Sequence, residues 1–143
     1  MNGKISNYNE LRVFQNAVNA AVKIFHATGT FPDEEKNNLT DHIRRSSRAV
    51  CVNIAKAWRK RRFKTPFVAK LGDSEAEACE TQLLVEFARR FKYLEDGLCA
   101  ELDAAYDQII GQLAKMMNQP EKWLIKKSAG PESGPVYRPA VDE

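Results

Sequence analysis

The sequence predicts an all-α protein folded as an antiparallel up-down four-helix bundle. Three observations predict it. Apolar residues recur at spacings of three and four in four separate segments, and no alternating strand pattern competes with them. Helix breakers are nearly absent from the interior: of six prolines, Pro120, Pro131, Pro135 and Pro139 all fall in the last 24 residues. Finally, 43% of the 143 residues are hydrophobic, and a globular chain of that length buries roughly 68% of its unfolded surface, enough for one core without staples.

The first helix is expected from about Tyr8 to Thr28, with Leu11, Phe14, Val18, Val22 and Phe25 as its apolar stripe and Gly29 as its stop. A short link, Phe31-Pro32-Asp33, offers Asp33 or Asn38 as the next N-cap. The second helix is expected from about Glu34 to Arg62, its core side carrying Leu39, Ile43, Val50, Ile54 and Ala57 with Ser47, Cys51 and Trp58 beside them. Thr65-Pro66 restarts the chain as N-cap and first helical residue. The third helix, about Pro66 to Phe91, is apolar on two sides: Phe67, Leu71, Ala78 and Val85 on one, Ala76, Leu83 and Phe87 on the other. Such a helix needs two neighbours, inside the bundle or across a subunit contact. After a turn at Lys92-Tyr93, a fourth helix from about Glu95 to Asn118 presents Leu98, Leu102, Ala105, Ile109, Leu113 and Met116 on one face. Short links between long helices make them antiparallel neighbours. Residues 1–125 are thus expected to form one bundle and 126–143, where Gly, Pro and Ser accumulate, a loosely held tail.

Several classes of function are disfavoured. No run approaches 18 apolar residues, and Met1 to Asn9 lacks an apolar signal region, so a cytoplasmic chain without a membrane partner is expected. Cys51, Cys79 and Cys99 lie in no C-x-x-C spacing and read as buried reduced thiols. A di-iron bundle needs Glu-x-x-His pairs, but Lys23 and Leu39 stand three residues before His26 and His42. There is no Gly-rich phosphate loop and no nucleophile elbow. No metal, no cofactor and no catalytic residue is expected, and the protein reads as a non-enzyme.

Charge is the strongest functional signal. Residues 44–70 carry ten Lys/Arg and no Asp or Glu, whereas residues 71–107 carry ten Asp/Glu against three Lys/Arg. On a helical wheel, Arg44, Arg45, Arg48, Lys56, Arg59, Lys60 and Arg62 of the second helix fall within about 160°, opposite the apolar set. Arg61 is the one violation. A cationic face of this kind suits a polyanion, because each cation that meets a phosphate releases counterions whatever the base sequence. Trp58 and Phe63 flank the cluster, but Trp58 falls on the apolar arc and reads as core. The competing reading is structural: Asp73, Glu77 and Glu80 form an acidic stripe on the third helix that pairs with the basic one, within one bundle or between subunits. Ten cations exceed what three carboxylates can neutralise.

The order of short motifs resembles a known family, the four-helix-bundle proteins encoded by intervening sequences in bacterial 23S rRNA genes, whose relatives include accessory proteins of diversity-generating retroelements. The resemblance runs from Leu11-Arg12-Val13-Phe14-Gln15-Asn16-Ala17 through Phe31-Pro32, Leu39-Thr40-Asp41, Ile43-Arg44-Arg45-Ser46 and Asn53-Ile54-Ala55. It continues with Arg61-Arg62-Phe63, Asp73-x-Glu75-x-Glu77, Glu80-Thr81-Gln82 and Pro120-Glu121-Lys122-Trp123, covering about residues 8–124. Where the family has Glu-Gly, this chain has Lys56-Ala57. The resemblance implies a homopentameric ring with a central channel. Its retroelement branch implies binding to RNA or DNA, and to a reverse transcriptase where one is encoded beside the gene. Two functions are therefore expected to compete: a ring that binds nucleic acid through the second helix, and an assembly scaffold whose charged stripes pair between subunits.

Overall fold

The computed structural model describes residues 5–126. Four helices account for most of them: α1 (Arg12–Ala27), α2 (Leu39–Arg59), α3 (Lys64–Arg90) and α4 (Asp96–Asn118). Short 3-10 turns stand at Tyr8–Glu10, Thr28–Thr30, Asp33–Glu35 and Pro120–Lys122. Apart from Lys126, the expected tail lies outside the described residues.

Each helix buries a seam spaced alternately by three and four residues. On α1 it is Val13, Ala17, Ala20 and Ile24; on α2, Ile43, Ser47, Val50, Ile54 and Ala57. On α3 it is Phe67, Leu71, Ser74, Ala78, Thr81, Val85 and Ala88, and on α4, Cys99, Leu102, Tyr106, Ile109, Leu113 and Met116. A mean spacing of 3.5 keeps one seam facing its neighbours along the whole helix, the packing of left-handed bundles. The helices close a cycle in which α1 meets α2 and α4, and α3 meets α2 and α4. The pairs run antiparallel. Along α2 and α3, His42 meets Glu80, Ser46 meets Thr81, and Val50 meets Ser74. Along α1 and α4, Asn16 meets Gln112 and Lys23 meets Glu101.

The α2–α3 contact is the most extensive, and small polar residues line it. Ser46 and Thr81 share a hydrogen bond of 2.8 Å, and the Ser74 hydroxyl donates to the Val50 carbonyl at 2.8 Å. Each of these side chains is buried. Hydroxyls this short let the backbones approach closely while satisfying their own polar atoms. The Tyr106 hydroxyl of α4 is buried with no hydrogen-bond partner among the described residues.

Several local expectations are corrected. The α1 stripe was placed one flank too far round: Val22 and Phe25 are exposed, and Ala17, Ala20 and Ile24 take the core. Two alanines allow a close approach that larger side chains would block, which pushes the bulky residues to the rim. Gly29 does not stop α1 through a left-handed turn. The helix ends at Ala27, and the Thr28 hydroxyl bonds back to the Ile24 carbonyl at 2.8 Å. Residues 33–35 form a separate turn, and α2 begins at Leu39, whose N–H is capped by Glu35 Oε1 at 3.2 Å rather than by the side chain of Asn38 or Asp33. Since α3 starts at Lys64, Thr65 and Pro66 lie within its first turn, where the missing proline N–H costs no bond. At the other end of α3, Lys92 adopts φ 66°, Lys92 N–H donates to the Arg89 carbonyl at 3.0 Å, and Tyr93 N–H donates to the Ala88 carbonyl at 2.8 Å. This is a Schellman stop with lysine at the position where glycine is usual. Of the thiols, only Cys99 is buried; Cys51 is half-buried and Cys79 exposed, because α3 turns that position away from its seam.

Candidate nucleic-acid interface

The seven basic residues expected to share one face separate into groups. Arg44 is committed to the fold. Its guanidinium lies 4.4 Å from the centre of the Phe25 ring and donates to Thr28 Oγ1 at 2.8 Å and to the Phe25 carbonyl at 3.1 Å. It clamps the end of α1 to α2 and is withdrawn from the outer face.

Arg45, Arg48, Lys56 and Arg59 are exposed and follow one another at three- and four-residue steps along the outside of α2, with exposed Val52 between them. The line from Arg45 to Arg59 is about 21 Å long at 1.5 Å per residue. Arg45 pairs with Asp41 one turn earlier at 3.0 Å, an exposed contact that a phosphate can replace at little cost. Arg48 and Lys56 have no ion pair among the described residues. Lys60 and Arg62, half-buried, continue the charge into the α2–α3 turn.

Among the described residues, the acidic stripe makes no direct ion pair with this line, although Glu77 and Glu80 share a cleft with Arg45 and Arg48. Asp73 pairs with Lys70 at 3.1 Å, and Glu80 bonds His42 of α2. Glu77 stands half-buried beside Glu80; burial first, and then the charge of Glu80, raises its carboxyl above the usual carboxylate range. Arg45, Arg48, His42, Glu77 and Glu80 surround one cleft of about 470 Å³ between α2 and α3. The spacing of α3 made the acidic stripe legible in sequence; the capture of Glu80 by a histidine and of Asp73 by its own helix was not. Among the described residues, no group of three or more His, Cys, Asp or Glu side chains is placed to hold a metal ion, and no helix is long and apolar enough to cross a membrane.

Arg61, which violated the wheel, has its own place. Its guanidinium carbon sits 3.5 Å from the centre of the Trp58 ring, and Nε donates to the Trp58 carbonyl at 2.8 Å. Trp58 is buried. Burial, and then the charge of Arg59, lowers the Arg61 pKa.

Two apolar surfaces are exposed among the described residues. Between α1 and α2, Val18, Val22, Phe25, Cys51 and Val52 line a groove of about 460 Å³ rimmed by Arg44 and Arg48. On the far side, Leu83 and Phe87 of α3 and Phe91 just beyond it form a ridge, each of them 44–55% exposed. The α3 ridge was expected from its second apolar side; the groove was not, because Val22 and Phe25 read as core.

A family model described as 23S rRNA-intervening sequence protein matches residues 9–115. The fold is similar to that of a crystal structure of a Bacteroides thetaiotaomicron protein of unknown function from the S23 ribosomal protein family. The match has a TM-score of 0.67 and 22% identity, covering 74% of this chain and 95% of that one. No curated protein matches the sequence.

Proposed function

The chain belongs to the 23S rRNA-intervening sequence protein family, and on that premise we propose that it is a non-enzymatic, self-assembling bundle that binds nucleic acid along α2. One observation carries the reading: Arg45, Arg48 and Lys56 are exposed along the outside of one helix, and no carboxylate of the acidic stripe forms an ion pair with any of them among the described residues. Cations held on a helix at fixed spacing meet successive phosphates without ordering a loop first. The reading gives no base specificity, since these side chains offer charge rather than a pattern of donors and acceptors. It places the protein in the cytoplasm, with a reverse transcriptase as a further partner only where one is encoded beside the gene.

Three phosphate contacts give a slope of about −2.7 for log affinity against log salt on duplex, so affinity per chain falls about 40-fold between 50 and 200 mM. Fluorescence anisotropy with labelled RNA and DNA measures it. The triple variant Arg45→Ser/Arg48→Ser/Lys56→Ser is expected to lose that slope and keep its fold. Absence of binding by the parent chain at about 50 mM salt overturns the reading.

A second reading, an assembly scaffold without nucleic acid, is favoured by the bare groove and the bare ridge. They are different surfaces on different helices, so contact between them is head-to-tail and closes a ring when the rotation allows; a five-membered ring is the expectation. Light scattering on Phe87→Glu is expected to give a smaller assembly. If no nucleic acid binds and either Phe87→Glu or Arg45→Glu/Arg48→Glu changes the mass, the scaffold reading replaces the first.

A further inference from the structure

At the end of α2, where the chain returns through the 120–122 turn, lies a recess of about 640 Å³ bounded by Ile5, Trp58, Arg61, Lys122, Trp123 and Lys126. Arg61 is fixed in its wall. Beyond its contacts with Trp58, Nη1 donates to the Trp123 carbonyl at 3.4 Å and its own carbonyl accepts from Ile125 N–H at 3.1 Å. Among the described residues, every acceptor that meets this guanidinium is thus a neutral carbonyl oxygen. Among the described residues no carboxylate lines the recess; Glu121 beside it is paired with Lys64 at 3.6 Å. Lys122 and Lys126 are exposed at the mouth, and Trp123 is half-exposed.

A half-buried cation with no counter-ion among the described residues, two further cations at the rim and an indole with accessible surface together describe a site for a flat ring carrying an anionic group. The volume lies within the range of small-molecule pockets. We propose that this recess receives an unpaired nucleotide of the nucleic-acid strand lying along α2, a proposal that rests on the nucleic-acid reading above. The base stacks on Trp123 or on the outer face of the Arg61 guanidinium, as unpaired bases do on aromatic and arginine planes. Its phosphate faces Lys122 and Lys126. A duplex does not fit, because its bases are already stacked on one another. Exposed Arg59 leads the basic line of α2 to this end of the bundle.

The full chain is titrated, by tryptophan fluorescence and by anisotropy, with a 12-nucleotide unstructured single-stranded RNA, its duplex, and adenosine monophosphate. The single strand is expected to quench tryptophan emission and to bind about tenfold more tightly than the duplex. Trp123→Leu and, as a surface change that leaves the core intact, Lys122→Glu are each expected to erase that tenfold preference while duplex binding stays within twofold. Duplex binding without single-strand preference or quenching overturns the recess and leaves the α2 interface standing. Quenching by the mononucleotide as strong as by the strand overturns the strand in favour of a free nucleotide. No binding of any of the three at about 50 mM salt overturns the α2 reading, and the recess with it.

Discussion

Lys92 is the described non-glycine residue in the left-handed region, and replacing it isolates one energetic quantity. The stop of α3 needs φ near +60° so that the Lys92 and Tyr93 N–H groups can reach the Arg89 and Ala88 carbonyls. With a Cβ present, that conformation costs roughly 1–2 kcal/mol. Glycine relieves the strain but loses about 0.4–1 kcal/mol through the greater freedom of its unfolded chain. The net gain expected for Lys92→Gly is therefore about 0.5–1 kcal/mol. Unfolding entropy of about 2.1 cal/mol/K per residue over 143 residues is near 300 cal/mol/K, so the midpoint rises by about 2–3 °C. Lys92→Ala is the control: it deletes the exposed side chain yet keeps the Cβ, and should leave the midpoint unchanged. Calorimetry and urea titration of the three proteins measure the difference. Equal stability of the glycine and alanine variants would refute the reasoning, because strain at the Cβ would then contribute nothing.

Tyr106→Phe removes a buried hydroxyl that has no partner among the described residues, and is expected to raise stability by about 1 kcal/mol in urea unfolding; a loss above 1 kcal/mol would mean the hydroxyl is bonded. Leu71→Ala, at a fully buried seam position, is expected to cost about 2–5 kcal/mol in the same titration. Thiol titration of the native protein should find Cys79 reacting fast, with Cys99 and Cys51 slow, since burial raises both and takes Cys51 to about 11. Because the Glu77 carboxyl is raised in the folded chain, the stability tied to its protonated form is complete below about pH 4.5 and is lost as pH rises through the folded value. Glu77→Gln should therefore gain on the parent at pH 7 relative to pH 4; an identical difference at both would contradict the assigned environment.

The helices and the basic face were legible in the sequence for one reason: charge and apolarity alternate with a clear period on α2, and lysine and arginine seldom enter a core. The α1 face was not. Alanine carries almost no signal of burial, so Val22 and Phe25 outweighed Ala17 and Ala20, although close packing favours the smaller residues. Arg44 and Arg48 have the same sequence signature; only the position of Phe25 and Thr28 at the end of α1 makes the first a clamp. Arg61 breaks the pattern because, besides Trp58 three residues before it, its partner is the Trp123 carbonyl, 62 residues further along the chain. Residue type alone points Cys79 inward, as free cysteines usually are, while its position on α3 puts it outside.

The hydroxyl contacts between α2 and α3 have a mechanical consequence. Sliding one helix past the other by a turn, about 5.4 Å, separates Ser46 from Thr81 and takes the Val50 carbonyl away from Ser74. Ser46 and Thr81 keep acceptors on their own helices, the Ile43 and Glu77 carbonyls, but among the described residues Ser74 does not. A buried hydroxyl left without a partner costs about 1–3 kcal/mol, so the seam resists such a slide. Shear along it as a response to a bound load therefore carries a cost at Ser74. Compliance is left to α1, which is held to α2 by a smaller contact and by the Arg44 clamp.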